Sequence, residues 1–446
     1  METSYYLEKA PIPKAIANLS IPMMVGMLVG AIYNIINAFF IGKLNNPDML
    51  GAIAITLPIF TIIMAIGNLF GAGAGTYISR LLGEKNYTKA KNASSFAVYA
   101  GIFVGLVLIL IALPFIKYIV EILGANPAIY GYTKNYVVVL LIGCPFMILN
   151  FLLEQLVRSE GAAKISMIGI IVSSVVNVIL DPILILYMHL DVRGAAIATV
   201  LSNAISALYY GYYIVKNSKY LSVKLSDFKI DKDILVNTLK IGIPEFIFVI
   251  FLGISSLILN NAFAVYGDNV LAGYGIESRI CQVPEFIVMG IAQGIVPLIA
   301  FNYTAKNISR LNKAMRFSAM LIIGIVVVIS GTIYLLNNNV IALFTNDIDV
   351  INIGTYMLRV LLISTFFSGL TTLMVGSFQA IGREKEAMVV SISQGFLFIP
   401  ILFIFKYLYR LHGVIWVLPV AEILNFILTG ILFISMKRKV LRFDTV

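Results

Sequence analysis

Long, nearly uninterrupted apolar runs recur along the whole chain, and they restrict its fold more than any other feature. The 446 residues are 60% hydrophobic and only 12% charged, and the mean hydropathy is +0.96. A soluble domain of this size has too little interior to bury so much apolar surface, whereas a bilayer-spanning helix requires about 20 apolar residues. Membrane β-barrels instead show short alternating segments. We therefore predict an all-α polytopic membrane protein.

Twelve membrane-spanning helices can be delimited from these runs. They cover residues 16–41, 50–78, 93–116, 134–157, 165–187, 194–215, 236–263, 270–300, 315–336, 351–378, 387–406 and 413–436. The side that holds both termini carries 24 Lys and Arg residues, and the other side carries seven. Because short cytoplasmic loops are enriched in these residues, we expect both termini in the cytoplasm.

The longest polar stretch divides the chain into two sets of six spans. We predict a first bundle over residues 1–215, a cytoplasmic linker over 216–235 and a second bundle over 236–446. A shift of 221 residues brings several short motifs of the two halves into register, among them Arg158–Gly161 with Gln379–Gly382. Six spans per half place both halves in the same orientation, so the bundles should be pseudo-symmetric about an axis along the membrane normal. This architecture is typical of secondary transporters.

The fifth span contains a carboxylate, Asp181, within an apolar run. An acid inside the bilayer costs roughly 2.5–3.5 kcal/mol on insertion scales, and it therefore indicates a functional site. Asn177 lies on the same helix face, and Pro182 deprives the Val178 carbonyl of its helical donor. These groups predict an oxygen-rich pocket, although one helix–helix hydrogen bond and a kink would also explain them. Position 402, the counterpart of Asp181 in the second half, is Leu.

The first and fourth spans carry further polar groups. Tyr33 and Asn37 share a face of the first span and either line a cavity near Asp181 or bond between helices. The fourth span contains polar residues towards its cytoplasmic end, where an interfacial ion pair and a role in an inner gate or proton path are both open readings. These residues are Asn150, Glu154, Gln155 and Arg158.

The eighth span offers a second intramembrane acid. Glu285 lies deep in this span and is a further candidate proton carrier, and Gln293 is a further candidate for lining the cavity. Arg279 is the one clear arginine inside a span, and Glu277 is two residues from it. Glu245 is predicted to open the seventh span as a solvated residue.

Other chemistry finds little support in the sequence. No cluster of Cys and His has the spacing of a metal site, and no set of residues suggests a catalytic centre, so we expect neither an enzyme nor a resident metal or cofactor. The basic residues mark topology rather than a nucleic-acid surface. The 28 Phe, 23 Tyr and 16 Met residues suit bulky apolar or cationic ligands. We expect a monomer.

Several motifs together resemble those of the multidrug and toxic compound extrusion (MATE) family. They are Arg158-Ser-Glu-Gly161, Lys164-Ile-Ser-Met167, Asn177 to Ile183, Gln293-Gly294 with Pro297, and Asn302-Tyr303. The resemblance implies a V-shaped pair of six-helix bundles that exports drugs, often organic cations, in exchange for H⁺ or Na⁺. It also implies that Asn177 and Asp181 bind the coupling ion, and that the chain lies in the cytoplasmic membrane of a prokaryote.

One departure from the family pattern concerns the first span. Many prokaryotic members have an acid where this chain has Asn37, so Asn37 is expected to be a neutral ligand and the second carboxylate is missing unless Glu285 or Glu154 supplies it. A flippase of lipid-linked oligosaccharides is the alternative function. It would need a cationic cavity for a pyrophosphate group.

Overall fold

The computed structural model describes residues 4–42 and 46–440, and within these ranges the regular structure is helical throughout. The elements are α1 (Ser4–Glu8), α2 (Ile12–Gly42), α3 (Pro47–Ile55), α4 (Leu57–Gly83), α5 (Tyr87–Ala112), α6 (Ile116–Ile122), α7 (Tyr130–Ser159), α8 (Ala163–Pro182), a π-helical turn (Ile183–Tyr187), α9 (Asp191–Lys216), a 3₁₀ turn (Leu225–Asp227), α10 (Lys232–Ala264), α11 (Asp268–Thr304), α12 (Ile308–Leu335), α13 (Asn337–Ala342), α14 (Ile348–Ala380) and α15 (Glu384–Val440).

The twelve predicted spans are confirmed. Eleven helical stretches of the described residues are long and apolar enough to cross a membrane, and the last of them extends over 54 residues. Arg410 interrupts this last stretch with φ 51° and ψ −128°, so that α15 is two spans joined at a sharp break. Lys43 and Arg442, which contributed to the charge comparison between the two sides, lie outside the described residues.

The internal repeat is visible in the backbone as well as in the sequence. Left-handed residues recur at the predicted shift of 221, as the pairs Lys85 and Lys306, Gly161 and Gly382, and His189 and Arg410. The short helices α6 and α13 begin at the same shift. Asparagine side chains cap α5 and α12 at equivalent positions, since Asn86 accepts from the Lys89 amide and Asn307 accepts from the Arg310 amide. The two halves are therefore pseudo-symmetric.

Among the described residues, buried apolar side chains form one core that both halves share, one core within the first half and one within the second. We call the side of the molecule where α2 begins and α15 ends the terminal face. The shared core lies towards this face and contains, for example, Leu156 and Ile295. Towards the opposite face, one core around Met147 belongs to the first half and another around Met357 belongs to the second. The halves thus pack together at the terminal face and are separately packed at the other.

Among the described residues, the most extensive contacts between the halves are those of α2 with α11 and of α4 with α10, and α4 also packs against α11. Glycine permits the closest approach of α4 and α10. A Cβ atom at Gly73 would lie 2.2 Å from the Thr238 carbonyl oxygen, and one at Gly242 would lie 1.9 Å from the Leu69 carbonyl oxygen. The glycine-rich stretch of α4 is therefore a packing surface, as small residues in membrane helices allow.

Candidate functional site

Asp181 and Asn177 form the centre of a buried polar site in the first half. Asp181 has no exposed surface. With the Asn177 amide oriented so that both of its ends are satisfied, Nδ2 donates to Asp181 Oδ2 at 2.7 Å and Oδ1 accepts from the Thr199 amide at 3.2 Å. The predicted common face of Asn177 and Asp181 is confirmed. The α-helix ends at Pro182 and continues as a π-helical turn, whereas the part played by the Val178 carbonyl stays a prediction.

Tyr33 and Asn37 bring α2 to the same site. Asn37 Nδ2 donates to the Tyr33 hydroxyl at 3.1 Å, which confirms that the two side chains share a face. Tyr33 also interacts with Thr199 and, electrostatically, with Asp181. Asn37 Oδ1 is buried without a hydrogen-bond partner, so it is available as a neutral oxygen ligand. Tyr136, which sequence reasoning missed, interacts electrostatically with both Tyr33 and Asp181.

A chain of amides continues from this site along α9. Asn203 Nδ2 donates to the Thr199 carbonyl at 2.7 Å, and Asn203 Oδ1 accepts from Asn150 Nδ2 at 2.8 Å. Asn150 is therefore connected to the Asp181 site through Asn203. Sequence reasoning missed Thr199 and Asn203 because neither side chain is ionisable and the apolar stretch 194–215 around them contains no acid or proline.

Glu154, Gln155 and Arg158 form a second buried cluster, at the boundary between the halves. Arg158 Nη1 lies 3.3 Å from Glu154 Oε1, and Arg158 Nη2 donates to Gln155 Oε1 at 2.5 Å. The predicted ion pair between Glu154 and Arg158 is confirmed, whereas its interfacial location and a role in an inner gate or proton path both stay predictions. Both partners are largely buried because Arg158 also crosses to α11, where Nη1 donates to Gln293 Oε1 at 2.8 Å.

A cavity of about 710 Å³ lies within the second half, between α10, α11, α14 and α15. Its wall includes Glu285 and Gln293, the two residues of the eighth span that the sequence singled out. Glu245 also lines this cavity, and the prediction of a solvated helix end is wrong. Its helix begins three turns earlier, where the Asp231 side chain accepts from the Asp233 amide, so Glu245 lies inside the bundle.

The arrangement can bind a small cation at one carboxylate supported by neutral oxygens. Among residues 4–42 and 46–440, no group of three or more His, Cys, Asp and Glu side chains could hold a metal ion. Asp181 is the carboxylate of the first-half site, and Glu285 and Glu154 lie in the other two clusters. Neither therefore replaces the missing first-span acid beside Asp181.

Comparison with known proteins identifies the family of this chain. The sequence profile of the MatE family matches residues 22–183 and 244–404, one stretch in each half. The chain belongs to the MatE family. It is 44% identical to the multidrug export protein MepA of Staphylococcus aureus strain MSSA476 over 444 residues, which are 100% of this chain and 98% of that relative.

Further relatives agree. Identity to the multidrug export protein MepA of Staphylococcus saprophyticus is 41% over 421 residues, covering 94% of this chain and 93% of that protein. A solved outward-facing multidrug resistance MATE family transporter of the MOP superfamily superimposes with a TM-score of 0.90 at 25% identity. It covers 98% of this chain and 99% of its own.

Proposed function

We propose that this chain exports structurally varied small organic compounds from bacterial cells, driven by the inward flow of H⁺ or Na⁺. The family membership and the multidrug export relatives support this function. The observation that carries the ion-coupled part is Asp181, a fully buried intramembrane acid held by Asn177. When a carboxylate binds or releases a cation, the charge of its desolvated site changes. Such a change strongly biases a conformational equilibrium.

The arrangement of cores supports an alternating-access mechanism. In our proposal the terminal face is cytoplasmic, both termini lie in the cytoplasm, and the shared core closes that side. The halves are packed separately towards the exterior. Export then requires that the shared core separates while the outer ends approach, with the charge state of Asp181 biasing which arrangement is populated.

Asn177, Tyr33 and Asn37 have supporting roles in this proposal. Asn177 positions the Asp181 carboxylate, and Asn37 Oδ1 offers the neutral oxygen that an arriving cation needs. Tyr33 orients Asn37. We predict that the coupling cation is H⁺ or Na⁺ and that the chain acts as a monomer in the bilayer.

The flippase alternative finds no support in the large cavity. Its charged lining consists of four glutamates and Arg279, and acids repel a pyrophosphate group.

The test is ethidium transport in proteoliposomes. Wild type should move ethidium when either a pH gradient or a sodium gradient is imposed, and the gradient that works identifies the ion. Asp181→Asn should abolish gradient-driven transport, whereas Glu121→Gln, at an exposed acid on α6, should not. Wild-type pumping by Asp181→Asn would overturn the role of Asp181, and the absence of any transport by wild type would overturn the function.

A further inference from the structure

We propose that the cavity of the second half is the binding site for organic cations, with Glu277, Glu285 and Glu422 as its anionic groups. The inference rests on the proposed export function and adds to it a location. The compound binds in the half of the molecule that does not contain Asp181, and substrate and coupling ion therefore occupy different sites.

The size and walls of the cavity suit an aromatic cation. A volume of about 710 Å³ falls within the range of pockets that bind drug-sized molecules, about 300–1,000 Å³. The walls include Phe248, Tyr274, Phe286 and Met289. Aromatic faces attract organic cations, and methionine adapts to ligands of different shape. Such walls explain how one cavity accepts varied compounds.

Several polar atoms of the cavity wall lack a partner. Glu277 is only 1% exposed, and its Oε2 accepts no hydrogen bond. Glu422 accepts from Gln394 Nε2 at 3.0 Å through one oxygen, while Oε2 has no partner. The Thr365 hydroxyl is likewise buried and unpaired. Because an unsatisfied buried polar atom is destabilising, these atoms favour a ligand that donates to them or carries positive charge.

The charges around the cavity favour a cation and disfavour a single metal ion. Glu285 interacts electrostatically with both Glu277 and Glu422, and among the described residues Arg279 is the one basic residue of the lining. Like charges that share a poorly solvated site destabilise one another, and a bound cation relieves this repulsion. Yet the described acids are too dispersed to chelate one metal ion. An extended organic cation matches this distribution.

The repeat shows that these acids belong to the second half alone. The positions equivalent to Glu277 and Glu285 in the first half are Thr56 and Met64. After the break at Arg410 the shift is 219, which pairs Gly194 with Gly413, and the equivalent of Glu422 is therefore Asn203. Conversely, the equivalents of Asn177 and Asp181 are Phe398 and Leu402, which lie in the apolar core of the second half. Each half therefore has acids that the other lacks, as two separate binding functions require.

Equilibrium binding of ethidium to purified protein in lipid nanodiscs, with no gradient present, tests the inference. We expect Glu285→Gln and Glu277→Gln each to raise the ethidium Kd at least tenfold. Glu285→Asp, which keeps the charge, should stay within about threefold of wild type and show that the cavity remains folded. Asp181→Asn should bind ethidium within about twofold of wild type although it no longer transports.

The remaining outcomes overturn the inference. If both glutamine variants bind ethidium as wild type does, the cavity is not the cation site, and gradient-driven transport by wild type would still support the export function. A large loss of binding in Asp181→Asn alone would place the compound in the first half. If wild type binds no ethidium, the inference fails, and the transport assay decides separately on the proposed function.

Discussion

Arg158 of α7 and Gln293 of α11 join the two halves through a hydrogen bond of 2.8 Å, and Gln293 also lines the cavity of the second half. The same guanidinium pairs with Glu154. A small cavity of about 50 Å³, whose wall includes Arg158, Gln293 and Thr76, lies at this boundary. The hydrogen bond therefore connects the wall of the large cavity to the first half, in the region where the two halves pack together.

Loss of this bond should loosen the closed terminal face. In a Thr76→Cys reporter on a background with Cys144→Ser and Cys281→Ser, we expect Gln293→Leu to increase the rate of labelling by a membrane-impermeant maleimide severalfold from the terminal side. Gln282→Leu, on the same helix and also in the cavity wall, is the matched control and should leave the rate unchanged. Equal rates in the two variants would contradict the closing role of Gln293.

The ion pair between Arg80 and Glu384 should contribute to the stability of the closed arrangement. Arg80 is 9% exposed, lies 3.1 Å from Glu384 and donates to the Ala380 carbonyl at 3.0 Å. Arg80→Ala leaves buried acceptors unpaired, and we expect it to lower the unfolding free energy by about 3–5 kcal/mol. Glu384→Gln should cost less, because Arg80 keeps its carbonyl partners.

The control for this experiment is the ion pair between Arg383 and Glu386, which lies beside the first and is more exposed. Arg383→Ala should change stability by about 0–1 kcal/mol. Thermal unfolding in detergent measures all three variants. A similar loss of stability for Arg80→Ala and Arg383→Ala would show that the Arg80 ion pair, which joins the two halves, stabilises the protein no more than an exposed ion pair does.

Close packing of α4 on α10 predicts strong effects of a single methyl group. Gly73→Ala and Gly242→Ala place a Cβ atom far inside contact distance of a backbone carbonyl on the opposite helix, so the helices must separate. We expect a loss of roughly 2 kcal/mol or more for each. Gly324→Ala, in a helix and with open space around its Cβ position, should be neutral or stabilising by up to about 1 kcal/mol. Melting temperatures that do not separate the three variants would argue against this packing.

We predict that stability depends on pH through Glu160. This residue lies in the turn between α7 and α8, outside the membrane-spanning segments. Burial raises the pKa of Glu160 from 4.5 to about 7, although Ser218 donates to its Oε2 at 2.7 Å. The folded state thus binds the proton more tightly than the unfolded state. Its stabilisation is complete below pH 4.5 and is lost as the pH rises through 7, by up to about 3 kcal/mol.

Glu160→Gln removes this titration. Its melting temperature should match that of wild type near pH 5 and exceed it at pH 8, as measured in detergent with Glu121→Gln as the control for an exposed acid. Parallel melting curves of wild type and Glu160→Gln across this pH range would refute the raised pKa.

Local patterns predicted much of the structure. The spans follow from hydropathy, and the contacts between Asn177 and Asp181, Tyr33 and Asn37, and Glu154 and Arg158 follow from the four-residue spacing of one helix face. Contacts between helices that are far apart in the sequence could not be predicted in this way. Arg80 counted only as a basic loop residue, although its partners lie about 300 positions away. Contacts within one helix could therefore be predicted from the sequence, whereas the contacts of Thr199 and Asn203 and the location of Glu245 depend on how helices pack.

The paired positions of the two halves have a consequence for how such a chain is modified. Because Asp181 is matched by Leu402 and Glu285 by Met64, the halves are similar in backbone but not interchangeable. A chimaera that repeats the first half would carry two Asp181-type sites and no acidic cavity, and one that repeats the second would carry the reverse. If organic cations bind in the second half and the coupling ion binds at Asp181, as we propose, substrate range can be altered in one half while the coupling site in the other is left untouched.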